Sequence, residues 1–202
     1  MSTLVMYDDV NVSLIPATAT IIGYYVDGAY ANGTAIKARF PHAELVGIAT
    51  NAAHDADALD DEAGDATDAQ VYDWLNRQIA RKVYRPLIYK SVSGIDQLML
   101  TMNANKFPRS AYRLWSAHYG AGQHICGPDS CKLTKTECDW TQWTDTYNGV
   151  SLDASLLSDT PFAPPAPKPP APKYTRAQGQ ADIADIAGAL GRLAVGVTEL
   201  PG

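Results

Sequence analysis

ADALDDEAGDATDAQVYDWLNRQIARKVYRPLIYK, residues 56–90, reads as strand, helix, strand. Ala56–Glu62, with Ala58-Leu59 at its centre, and the apolar run Pro86–Lys90 read as strands. Between them Val71, Leu75 and Ile79 recur every four residues and draw one apolar stripe, which predicts a helix over Asp68–Val83 with Thr67 or Asp68 as its N-cap. A strand–helix–strand unit sets its two strands parallel. Working outward, further strands are expected at Leu4–Asp8, Thr20–Asp27, Glu44–Thr50, Arg113–Tyr119, Trp140–Asp145 and Ser151–Leu156, with a second helix at Ser93–Asn105. Eight strands point to a closed α/β barrel. Residues 1–158 are short against the roughly 250 of an eight-fold barrel. The expectation is therefore a compact TIM-like (β/α) barrel with some helices missing, and an open doubly wound sheet is the competitor.

The chain has 202 residues, 46% of them hydrophobic and 19% charged, with a net charge of −6. That balance argues against a nucleic-acid partner, which needs a basic surface, and suits a neutral substrate such as a polysaccharide. No apolar run reaches 18 residues, so no membrane span is expected. Met1-Ser2-Thr3-Leu4 lacks a basic stretch followed by an apolar core, so no secretory signal peptide is expected either. Work outside a cell would then follow lysis or incorporation into a particle. Residues 1–159 read as the barrel domain. Residues 160–173, rich in Pro, Ala and Lys, read as an extended spacer of about 40 Å. Residues 174–202 read as a helical attachment segment. Its stripe of Ile183, Ile186, Leu190, Leu193 and Val197 needs another surface to cover it. The expected partners are other protein chains, as a homo-oligomer or on a virion.

Several expected strands end in acids: Asp8, Asp27, Asp60 with Glu62, and Asp153 in the last. In a parallel barrel such ends share one rim, where active sites lie. Like charges held together raise one another's pKa. Asp60 and Glu62 are two apart, so in a strand both face the barrel mouth while Asp61 looks away. A proton-bearing Glu62 would serve a glycosidic oxygen, with Asp60 stabilising the oxocarbenium-like transition state. The bland alternative is a solvated acidic loop opening a helix. Trp115, His118, Tyr119, Trp140 and Trp143 form an aromatic group suited either to stacking on sugar rings or to core packing. His118 reads as a general base, a ligand or a structural histidine.

The order of these segments resembles glycoside hydrolase family 25, the lysozyme-like muramidases. It is more similar still to a related glycoside hydrolase-like barrel domain of actinobacteria and their phages. The carrying segments are Tyr7-Asp8-Asp9-Val10, Gly23-Tyr24-Tyr25-Val26-Asp27-Gly28, Arg39-Phe40-Pro41-His42-Ala43, Leu59 to Ala66, Leu87-Ile88-Tyr89, Leu114 to Tyr119, Thr141-Gln142-Trp143-Thr144 and Leu152-Asp153-Ala154-Ser155. The resemblance spans residues 4–158. It implies Glu62 as general acid/base, with Asp60, Asp8 and Asp153 as supporting carboxylates. It implies Tyr89, Trp115 and Gln142 lining a sugar groove. From their positions in the acidic strand ends and the aromatic group, Asp27, His118, Tyr119 and Trp143 are further substrate-binding candidates. Where the muramidases open with a Gly-Ile-Asp-Val-Ser-like segment, Tyr7-Asp8-Asp9-Val10 stands, which leaves open whether Asp8 or Asp9 faces inward.

Cys126, Cys131 and Cys138 lie within thirteen residues. Gly127-Pro128-Asp129-Ser130 reads as a tight turn bringing Cys126 near Cys131, and a disulfide between them is the favoured reading. Zinc held by His124, Cys126, Cys131 and Cys138 is the alternative, although the spacing matches no common zinc finger, and free thiols are the third reading. No cofactor is called for. Two functions follow. One is a muramidase-like hydrolase of bacterial cell-wall peptidoglycan, phage-encoded and acting outside the cell or from a virion. The other is a virion structural or host-surface-binding protein using the same barrel with weak or no catalysis.

Overall fold

A computed structural model describes residues 4–162. Eight strands, β1 (Leu4–Asp8), β2 (Ile21–Tyr25), β3 (Glu44–Ala49), β4 (Ala58–Asp60), β5 (Leu87–Ser91), β6 (Arg113–Ala117), β7 (Trp140–Tyr147) and β8 (Val150–Leu157), close in sequence order into one barrel. The first seven run parallel, and β8 is antiparallel to both β7 and β1. The barrel is therefore mixed, and it carries few helices: α1 (Gly33–Arg39) between β2 and β3, α2 (Asp68–Ala80) between β4 and β5, and α3 (Ile95–Ala104) between β5 and β6. No helix among the described residues is long and apolar enough to cross a membrane.

The strands sit where their apolar alternation put them, and alternation also decides what each residue does. Met6, Ile21, Val46, Ile48, Ala58, Leu87, Tyr89, Trp115, Trp140 and Leu157 form one buried cluster inside the barrel. Their neighbours one residue along, such as Leu59, Ile88 and Leu114, point outward and pack with Trp74 and Leu75 of α2 and Leu98 and Met102 of α3. Beneath α1, Ile22 and Leu152 meet Ile36 and Phe40 in a third cluster. Helix α2 starts as expected, with the Gln70 side chain accepting from the Thr67 backbone N–H at 3.0 Å. Trp74 pins the helix by donating its indole N–H to the His54 carbonyl at 2.9 Å.

Helix α1 escaped the sequence reading because it is short and buries only Ile36. The reversal of β8 also escaped, though its cause is local. Asn148 and Gly149, both at positive φ (51° and 80°), form a two-residue hairpin between β7 and β8, the Asn-Gly turn that matches strand twist. A connection this short permits only antiparallel pairing.

At the end of the barrel where the parallel strands begin, Arg113 on β6 is fully buried. Its guanidinium donates to both carboxylate oxygens of Asp159, and to the carbonyls of Tyr84, Arg85, Thr160 and Pro161. The indole of Trp140 donates to Asp159 as well, at 3.0 Å. Thr160 and Pro161 thus belong to the barrel, two residues beyond the expected boundary at 159. The expected spacer beyond Phe162 and the helix of residues 174–202 lie outside the described residues. Asp159→Ala removes the only carboxylate among the described residues that faces this buried cation, while four carbonyls remain. The expected loss is about 3 kcal/mol, the low end for breaking a buried pair, read as a lowered urea midpoint at unchanged m-value.

Candidate active site

Facing inward at the C-terminal end of the parallel strands, the side-chain layer turns from apolar to acidic. Asp8 is the last residue of β1 and Asp60 the last of β4. Asp153 lies directly across from Asp8 in the β1–β8 ladder. It reaches this rim because β8 is reversed, so the early part of that strand sits beside the late part of β1. Glu62 lies beyond the end of β4, where the strand was expected to continue. The backbone nonetheless holds to the ladder for one more residue, with the Asp61 N–H donating to the Tyr89 carbonyl at 2.9 Å. Asp61 accordingly turns outward to Lys90 at 3.1 Å, and Asp60 and Glu62 share the inner side.

Asp8, Asp60, Glu62 and Asp153 line one cavity of about 160 Å³, together with Tyr25, Ile48, Tyr89, Trp115 and Gln142. None of these nine residues is cationic. Asp8 is the inward member of its pair and only 2% exposed, whereas Asp9 turns aside and accepts from the Asn11 N–H. Gly23, next to Asp8 on β2, leaves the room: a Cβ there would lie 2.8 Å from the Asp8 Cβ and 3.0 Å from the Ile48 Cδ1. Trp115 is held edge-on to Tyr89 with ring centres 4.6 Å apart and donates its N–H to Ser155. One carboxyl oxygen of Asp8 and one of Asp60 are buried with no hydrogen-bond partner among the described residues. Such orphaned groups are uncommon inside a protein, and both are free to meet a bound molecule.

Burial is the largest influence on every one of these acids, and it raises them all. Asp8 is pushed well above the carboxylate range by burial, then by the charges of Asp153, Asp9 and Asp60, against a hydrogen bond from Tyr25. Burial with Glu62, Asp65 and Asp61 nearby lifts Asp60 to about 7. Burial and then Asp9 lift Asp153 to about 6, with Gln142 opposing. Burial raises Glu62 too, tempered by a backbone hydrogen bond at Ser91 and by Lys90. Near neutral pH the cluster therefore holds protons as well as charge, the condition for a carboxylic acid that donates beside one that stabilises.

The other expected site residues are placed differently. The Asp27 carboxylate is consumed by the Thr50 and Asn51 N–H groups, the Thr50 hydroxyl and His54, and so braces the turn after β3. Strand β2 stops at Tyr25, so Asp27 falls beyond the alternation that would have aimed it inward. Trp143, one residue past the inward Gln142, faces out and packs on Tyr147 at 6.3 Å. Tyr119 is 46% exposed, and its hydroxyl lies 3.1 Å from that of Tyr89. His118 points away from the cavity, toward His124 and Cys126. The expected Cys126–Cys131 disulfide is not formed. All three cysteines are free thiols, and the donor atoms of His118 and His124 lie beside those of Cys126 and Cys131. Tyr25 and Ile48 were not anticipated. The alternation that placed Asp8 and Gly23 inward could have found Tyr25.

Neither family models nor curated proteins match the chain. Among solved structures it is similar to an uncharacterized B. stearothermophilus protein, whose crystal structure was determined at 1.07 Å. The identity is 12% and the TM-score 0.53, covering 76% of this chain and 95% of that one. At that identity the likeness concerns the fold alone.

An Asp60 pKa raised in the folded state means that the folded protein holds more protons than the unfolded chain between about pH 4 and pH 7. Stability therefore falls as pH rises through that window and stays reduced above it. Asp60→Asn removes the penalty. The variant is expected to be more stable than wild type at pH 8 by about 2 kcal/mol and nearly equal to it below pH 4, as read by denaturant titration at both pH values.

Proposed function

We propose that this protein is a muramidase-like glycoside hydrolase acting on bacterial cell-wall peptidoglycan, phage-encoded and working outside the cell or from a virion. The observation that carries the reading is one cavity lined by four acids, three aromatic side chains and an amide, with no cation. Cleaving a glycosidic bond needs a proton for the leaving oxygen and negative charge beside a ring carbon that becomes positive. Glu62, raised yet partly accessible, is the general acid. Asp60 and Asp153 supply the stabilising charge as they ionise. Tyr89 and Trp115 offer faces for a sugar ring. Gln142 and the unpaired oxygen of Asp8 meet its hydroxyl or amide groups. Anionic substrates are disfavoured, because nothing in the cavity offsets the acids.

This reading goes with a finer one of the fold. Parallel strands whose C-terminal ends carry the site are the arrangement of a TIM-like (β/α) barrel that has lost several helices and reversed its last strand. The cavity is smaller than the roughly 300 Å³ at which small-molecule sites usually begin, and this favours a second reading. In that reading the barrel binds a terminal sugar of the host surface as a virion component, with weak or no catalysis.

Purified peptidoglycan separates the two. Wild-type protein is expected to clear a cell-wall suspension and release reducing ends, and Glu62→Gln to lower the rate by about 10²–10⁴-fold, the usual worth of a general acid. Retained wall binding without any release of reducing ends by the wild type would establish the second reading instead.

A further inference from the structure

Between Ala117 and Trp140 the chain passes through residues 118–139 without helix or strand. Connections beyond about 12–15 residues with no secondary structure are uncommon in compact domains, and this one lies across the outside of the cavity wall. It is ordered by more than backbone pairing. The His118 Nδ1 and His124 Nε2 atoms lie 2.9 Å apart, and each is 3.3 Å from the Cys126 Sγ. The donor atoms of His118, His124, Cys126 and Cys131 all lie within 4.8 Å of one another. We propose that these four side chains bind one zinc ion and that the ion is the clasp of this loop.

Four features support the assignment. Tetrahedral zinc with bonds of about 2.1 Å to nitrogen and 2.3 Å to sulfur separates nitrogen from sulfur by about 3.6 Å and nitrogen from nitrogen by about 3.4 Å, so the ion would spread the Cys126–histidine distances of 3.3 Å by about 0.3 Å and the histidine pair at 2.9 Å by about 0.5 Å. The second nitrogen of His124, Nδ1, lies 2.7 Å from the Gly122 carbonyl. It must therefore carry the hydrogen, which leaves Nε2 bare and aimed at the cluster. That is the outer-shell bond that orients metal-binding histidines. The turn at Gly127 is built to return Cys131, because the N–H groups of Ser130, Cys131 and Lys132 all donate to the Gly127 carbonyl. Cys126 is fixed to the barrel wall by its own N–H, which donates to the Thr141 hydroxyl at 2.8 Å. Cys138 shares with Cys126 the apolar cluster outside β6, but its sulfur is not among the donor atoms that converge.

Two imidazoles and two thiolates fill the coordination sphere, so the site is closed and structural rather than catalytic. Binding releases the two thiol protons. Its effect on the cavity runs through sequence adjacency. Tyr119, next to the ligand His118, reaches Tyr89 in the cavity wall. The clasp therefore holds a tyrosine at the cavity mouth whether or not the cavity hydrolyses glycans.

The test uses the full chain, expressed with zinc in the medium and purified without chelator under reducing conditions. Metal analysis is expected to find about one zinc per chain. After zinc removal, cobalt(II) is expected to give, at one equivalent, the strong visible bands of tetrahedral coordination and a sulfur-to-cobalt charge-transfer band. Cys131→Ser and His124→Ala are expected to weaken metal binding at least about tenfold, and Cys138→Ser to leave it unchanged. Zinc removal is also expected to speed proteolysis within residues 119–137. The wild-type cobalt spectrum decides the matter should the variants fail to fold. Less than a tenth of an equivalent of zinc with no cobalt bands would overturn the proposal. So would a loss of binding in Cys138→Ser equal to that in Cys131→Ser.

Discussion

The double pairing of β8, antiparallel to β7 on one side and to β1 on the other, is the constraint on which the rest of the molecule depends. Without it the seven parallel strands are an open sheet with two unpaired edges, each a row of backbone groups in want of partners. The pairing with β1 runs from Leu4 opposite Leu157 to Asp8 opposite Asp153, so one ladder both closes the barrel and sets two acids side by side. Arg113 secures the same closure at the other end. A buried guanidinium is tolerable only with its donors occupied. The occupants come from the turn before β5 and from the chain leaving β8.

Along its axis the barrel interior grades from that bound cation, through an apolar middle, to a rim of acids. The acids are the unfavourable part. Burial raises all four, and no cation lines the cavity to compensate. Lys90, beside the cavity, is turned outward by strand alternation and is held by Asp61 and Asp68. The apolar layers beneath, with Met6, Val46, Ala58 and Trp140 all fully buried, offset the strain that the rim imposes. A layer this unfavourable persists only where the surrounding structure over-determines it, as at sites that bind or react.

Most of the strands were legible because their signal is local: Leu4–Asp8 and Arg113–Ala117 announce themselves within five residues. The acids of the cavity were legible for the same reason, since Asp60 and Glu62 stand two apart at a strand end. What was hidden depended on distant partners or on ends misjudged by a residue or two. Asp27 looked like a member of the rim until β2 stopped at Tyr25. Cys126 and Cys131 looked like a pair because the turn between them is visible in sequence. The approach of His118 depends on where β6 delivers the chain, and no local pattern reports that. The direction of β8 was written in Asn148-Gly149 and is the one large feature that the local reading passed over.

The closing strand is also the last of the eight to be made. Until β8 is in place, Asp8 has no neighbour at position 153 and the rim lacks one of its walls. The acid character of the cavity is thus a property of the completed barrel and of no fragment of it. A ribosome carrying the first 145 residues carries every acid of the cluster but one, and not yet the strand that sets the last beside Asp8. The reversed strand is thus the last piece both of the sheet and of the acid rim.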